Sequence, residues 1–116
     1  MSNMYDSAYN LEKAIRESDA FKNLKEAYEA VMSDDSARDM FHRFRDTQMQ
    51  LQEKQMNGED ITEEEVEKAR HIVELVQQHD GIANLMEKEE RFNLIINDIS
   101  RIITKPLEEL YGSSKD

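Results

Sequence analysis

The stretch Asn57-Gly58-Glu59-Asp60-Ile61-Thr62-Glu63-Glu64-Glu65-Val66 decides how this chain folds. Glycine tolerates the left-handed backbone that closes a helix, so Asn57-Gly58 reads as a helix stop. Thr62 and Glu65 stand three residues apart, and each side chain is able to take up the other's free backbone N–H. That spacing is a capping box, and it starts a new helix at once. A stop and a start five residues apart join two helices by a loop too short for anything but an antiparallel hairpin.

The helical period extends from the loop in both directions. Upstream, about Ser36 to Met56, the apolar row is Ala37, Met40, Phe41, Phe44 and Leu51, with Gln48, Gln50, Gln52 and Gln55 filling its later turns. Downstream, about Glu63 to Gln78, one row is Val66, Ala69, Val73 and Val76, and a second is Ile72, Leu75 and His79. At ~1.5 Å per residue the hairpin is roughly 25–30 Å long.

Before it, Met4, Ala8, Leu11 and Ile15 predict a helix over about 4–17, and Phe21, Leu24, Tyr28 and Val31 another, with Ser18-Asp19 capping and Ser33-Asp34-Asp35-Ser36 turning into the third. After it, Asp80-Gly81 breaks the fourth helix, and Asp80 is positioned to cap the next one. From Ile82 to Thr104 no Gly or Pro intervenes. Leu85, Phe92, Ile95, Ile96, Ile99, Ile102 and Ile103 there predict a strongly buried face, on one helix or on two. Pro106 is expected to end or kink it. Asp19 to Glu26 and Asp80 to Glu87 match at Asp, Asn, Leu and Glu, which two helix starts with the same capping chemistry explain. Glu12–Arg16, Asp34–Arg38, Asp39–Arg43, Glu64–Lys68 and Glu87–Arg91 have the spacing of helix surface pairs. No segment alternates. The fold class is all-α: a small elongated bundle of five to six helices with a long antiparallel hairpin, one domain over 1–116, with 1–3 and 112–116 as frayed tails.

Composition narrows the function. The 116 residues carry 26 acids against 15 bases, a net charge of −11, and no cysteine or tryptophan. This excludes a disulfide scaffold, a cysteine-ligated metal or iron–sulfur site and a thiol nucleophile. A pI near 4.7 argues against direct nucleic-acid binding, which draws on clustered Lys and Arg. Residues 1–58 hold 11 acids and 8 bases and residues 59–116 hold 15 and 7, so the acidity is concentrated after the hairpin loop. No apolar run approaches the ~20 residues that span a bilayer, and the N-terminus lacks a signal peptide, so the expected location is the cytoplasm.

Sites of chemistry are scarce. Gly58, Gly81 and Gly112 stand apart, so no phosphate loop forms, and no serine sits in a nucleophile elbow. Glu67, His71 and Glu74 share a helix face, but the paired Glu-x-x-His motifs of a di-iron bundle are missing, and Asp39-x-x-His42 stands alone. No catalytic residue, metal or cofactor is expected. Arg38, His42, Arg43 and Arg45 form the one basic cluster, neutralised by Asp34, Asp39 and Asp46. The fourth helix has one apolar row more than the third can cover, and methionine adapts readily to a partner. The expected contact surface is therefore Met49, Met56, Ile72, Leu75 and His79, in a homodimer built on the hairpin.

In its order of elements the chain resembles the bacterial YheA/YlbF/YmcA family of small all-helical proteins, and its YheA branch most. The resemblance runs from about Ser7 to Leu110. It rests on Phe21/Leu24/Tyr28, on Asp35 leading to Phe41 and Phe44, on Gln48/Gln52, on the Gly58 loop, and on Ile82/Asn84/Leu85/Glu87 entering the isoleucine-rich last helix. It implies kinship with a complex that affects ribonuclease Y-dependent RNA processing and, through it, competence, sporulation and biofilm formation. That complex is associated with iron–sulfur clusters held by cysteines, and this chain has none to carry the property. The expected function is that of a non-enzymatic, self-associating adaptor or regulator. The alternative is an accessory factor in RNA processing acting through a ribonuclease partner, and the third reading is a carboxylate/His metal-binding protein.

Overall fold

Thr62 Oγ1 accepts a hydrogen bond from the Glu65 amide at 3.1 Å, and the Glu65 carboxylate accepts one from the Thr62 amide at 3.0 Å. This closed capping box opens α4 (Glu63–Gln78) in a computed structural model that describes residues 3–112. On the other side of the loop, α3 (Asp35–Met56) stops at Asn57, and Gly58 takes φ +72°, the left-handed turn that the sequence predicts. Lys54 Nζ reaches across the loop to Glu65 at 2.6 Å and ties the two helix ends together.

The remaining helices are α1 (Met4–Glu17), α2 (Asp19–Met32) and α5 (Asp80–Leu110). Among the described residues the regular elements are all helical, and there are five. Asn3 caps α1. Residues 1–2 and 113–116, which belong to the expected tails, lie outside the described residues.

Two starts differ in detail from expectation. The cap of α3 is Asp34, whose carboxylate accepts from the Ala37 amide, so Arg38 pairs with Asp35 rather than Asp34. The cap of α5 is His79 rather than Asp80: His79 Nδ1 accepts from the Ile82 amide at 3.2 Å. An imidazole nitrogen with a free lone pair does here what a short oxygen side chain usually does.

α2 lies along the first half of α5 in the most extensive helix contact of the molecule. Phe21, at the start of α2, meets Phe92 with ring centroids 5.7 Å apart. Because every residue of α5 from Ser100 onward is exposed, α2 must run back from Phe92 toward Ile82, antiparallel to α5. The core lies where α2, α3, α4 and α5 converge. It contains Ala27, Val31, Ala37, Phe41, Phe44, Val76, Ile82 and Leu85, with Ile72, Val73 and Met86 packed against it. Fully burying a side chain such as Ile82 or Leu85 contributes roughly 1.5–3 kcal/mol.

That core is small for the chain. The radius of gyration is 18.8 Å, against about 13 Å for a compact domain of this length. The accessible surface is 9266 Å², about 2,700 Å² more than a monomer of this mass ordinarily exposes. Three segments that leave the core contribute to the excess: α1, the hairpin tip and the distal half of α5.

The isoleucine face of α5 departs most from expectation. The sequence predicts it strongly buried, yet Ile96 and Ile99 are only half-buried, and Ile102 is 69% and Ile103 64% exposed. α2 is 14 residues long and covers only part of a 31-residue partner. The helix also runs through Pro106 to Leu110. Proline there removes a single bond, to the Ile102 carbonyl, and at an exposed position water takes it up.

Candidate interaction surface

The five residues expected to form a contact surface fall in three places. Met49 and Met56, 66% and 81% exposed, lie along the distal half of α3 beside Asp46, Gln50 and Glu53. Ile72 and Leu75 face the α3–α4 crevice, where they meet Met40 and Arg43. Ile72 is half-buried against the core and Leu75 is 38% exposed. His79 is half-buried and occupied as the α5 cap. The structure does not bring these side chains together on one face.

The longest continuous apolar exposure lies on α5, with a second stripe on α1. On α5, Ile95, Ile102, Ile103, Leu107 and Leu110 are exposed and Ile99 is half-buried. Ile99, Ile103 and Leu110 continue the row of Leu85 beyond α2, with Ile95 and Ile102 flanking it. On α1, Met4, Ala8, Leu11 and Ile15 form a second stripe flanked by Tyr5 and Tyr9, and no residue of α1 is buried. Most of the large apolar side chains along these two segments are more than half exposed, and apolar stripes of this kind mark contact sites. Helical periodicity signals both stripes in the sequence. It cannot say that the chain lacks a surface to cover them.

A cleft of about 630 Å³ separates the hairpin arm from α5, with Phe44, Met86 and Leu94 on its apolar side and Glu90, Asn93 and Asn97 on its polar side. Arg45 bridges it to Glu89 and stacks over the Phe41 ring at 5.0 Å from the centroid. Two of the four residues of the basic cluster are engaged within the fold, Arg45 on Glu89 and Phe41 and Arg38 on Asp35 and the Met32 carbonyl, while His42 and Arg43 are exposed.

Among the described residues no polar or charged side chain is buried, and no three His, Asp or Glu are placed to hold a metal. Glu67 pairs with Arg70 on the surface instead. The displaced titrations are at the hairpin loop. Hydrogen bonds from Lys54, and then from the Thr62 amide, hold the Glu65 carboxyl at about 2, below its ordinary 4.5. The same pair raises Lys54 above its ordinary 10.5. Both ionisations serve the loop. No helix is long and apolar enough to cross a membrane, among the described residues.

Fold and surface together define a class: an all-helical chain of five helices whose apolar faces exceed what its own core covers. The chain belongs to the family described as control of competence regulator ComK, YlbF/YmcA, which it matches over residues 4–108. It is 66% identical to a UPF0342 protein of Oceanobacillus iheyensis over 99% of this chain and 98% of that one. It is 55% identical to the UPF0342 protein YheA of Bacillus subtilis over 96% of this chain and 95% of that one. Among solved structures it resembles a protein of unknown function (DUF964) from Bacillus stearothermophilus, with TM-score 0.84, 42% identity and coverage of 97% and 98%. It shares the fold of Bacillus subtilis RicA, solved in complex with RicF, at TM-score 0.64 and 21% identity over 93% and 96% of the two chains.

Proposed function

We propose that this chain is a cytoplasmic, non-enzymatic interaction protein that pairs with a second copy of itself and, as a pair, acts as an adaptor or regulator. The observation that carries the reading is the bare apolar face of α5 from Ile95 to Leu110. An interface of standard size buries about 800 Å² per partner, and the exposed apolar side chains of α1 and α5 offer the surface for one. RicA, which has the same fold, is solved in complex with a different protein, RicF; this supports a role in protein contacts, and the self-pairing rests on the bare face of α5. Met49 and Met56 on the hairpin arm remain a second surface, suited to a different protein.

Sedimentation velocity across a concentration series tests this. A dimer at micromolar concentration supports the reading, and a monomer throughout the series overturns it. Affinity capture from native cells then asks what the pair binds. Recovery of a nuclease would favour an RNA-processing role.

A further inference from the structure

α1 touches α2 and no other helix; it does not reach α5 of its own chain. The joint between α1 and α2 keeps it there. Ser18 is one extended residue, ψ 149°, that is both the C-cap of α1 and the N-cap of α2. Its Oγ donates to the Ile15 carbonyl at 2.6 Å and accepts from the Phe21 amide at 3.2 Å. A joint capped in both directions resists the swing that would lay α1 on its own α5.

The two bare faces nevertheless match. α1 has 14 residues, about 21 Å, and the fully exposed end of α5, Ser100 to Leu110, is about 16 Å long at ~1.5 Å per residue, so α1 is long enough to cover it and reach the half-buried Ile99. Ala8, Leu11, Ile15 and Phe21 line an open trough of about 320 Å³, room for more than one branched aliphatic side chain, and the Glu12–Arg16 pair at 2.8 Å forms one rim. Across the two segments charge is nearly balanced: Asp6, Glu12 and Glu17 against Lys13 and Arg16 on α1, and Asp98, Glu108 and Glu109 against Arg101 and Lys105 on α5. No block of like charge opposes their contact.

We propose that two copies exchange their first helices: α1 of each copy seats its Leu11/Ile15 trough on the bare Ile99–Leu110 face of the other copy's α5. This rests on the self-association proposed above and adds which helix meets which. Two α1 and two α5 segments then close a four-helix bundle, and both unpartnered stripes are covered at once.

Because the chain has no cysteine, introduced thiols report alone. Leu11→Cys and Ile102→Cys are made in separate, mass-distinguishable chains, checked for native helicity, mixed, and treated with a short bismaleimide. The expected product is a covalent dimer containing one chain of each kind, in excess of either same-chain dimer. Ala8→Cys with Ile103→Cys repeats the test should the first pair perturb folding. A protein that sediments as a dimer but yields only Ile102→Cys homodimers overturns the exchange and leaves self-association standing. So does a double variant, Leu11→Cys with Ile102→Cys, that closes on itself as a cross-linked monomer. Wild-type protein that sediments as a monomer overturns both.

Discussion

Phe21 and Phe92 meet with their rings tilted by 53° at 5.7 Å, and this contact marks where α2 begins and where its cover of α5 runs out. On the Ile82 side of Phe92, α5 belongs to the core. On the Leu110 side the helix continues with Ile96 and Ile99 half-buried, and from Ser100 onward every side chain is exposed. Substitutions on the two sides are therefore expected to change different measurements.

Leu85 is fully buried, so Leu85→Ala should lower unfolding free energy by about 2–5 kcal/mol at any protein concentration. Urea denaturation followed by circular dichroism measures it. A loss below about 1 kcal/mol would contradict the core assignment.

Ile102→Glu should leave the fold of the dilute chain nearly unchanged and weaken self-association by roughly 100-fold, about 3 kcal/mol, because a carboxylate would be desolvated in the contact. Analytical ultracentrifugation gives the dissociation constant. An unchanged constant would remove α5 from the interface.

The hairpin offers the comparison. Leu75→Glu sits at a crevice mouth and should be tolerated, whereas Ile72→Glu places a charge against Met40 and the core and should cost several kcal/mol of stability. Thermal melts separate the two. Equal melting temperatures would show that the α3–α4 crevice is not packed as described.

Gly58 has φ +72° with nothing near a would-be Cβ, so Gly58→Ala isolates the backbone term. It should destabilise by about 1–2 kcal/mol with no steric contribution. The shift in denaturation midpoint reports it directly.

Acid should loosen the hairpin loop. The Glu65 carboxyl titrates at about 2 in the fold against an ordinary 4.5, so its contribution is present above about 4.5 and is lost as pH falls toward 2. Lys54 is raised, so its share is present below its ordinary 10.5 and is lost as pH rises through the raised value. Glu65→Gln keeps the capping box and removes the ionisation. The wild-type advantage over it in melting temperature should shrink across the acid window, and shrink again in high salt.

Local chemistry in this chain is legible from sequence, and long-range cover is not. Thr62 with Glu65, Gly58 and Ser18 each satisfy backbone groups within four residues, so spacing alone locates them. His79 escapes that reading because the neighbouring Asp80 is the more usual cap and the imidazole's acceptor nitrogen is not visible in a letter. Ile102 and Ile103 escape it for another reason: their spacing says that a face is apolar, not that the 14 residues of α2 end before reaching it. The expected hairpin surface scattered likewise, since Ile72 turned to the core and Met49 away from it.

Pro106 stands in the bare half of α5, where the Ile102 carbonyl has no amide four residues ahead to bond. A helix with that missing rung and no covering partner frays easily, and a second copy laid over it would hold it straight. Should two copies pair as proposed, mass action makes the end of α5 firmer as the protein's own concentration rises. The chain's abundance, and not only its sequence, then governs how firmly the last turns of this helix hold.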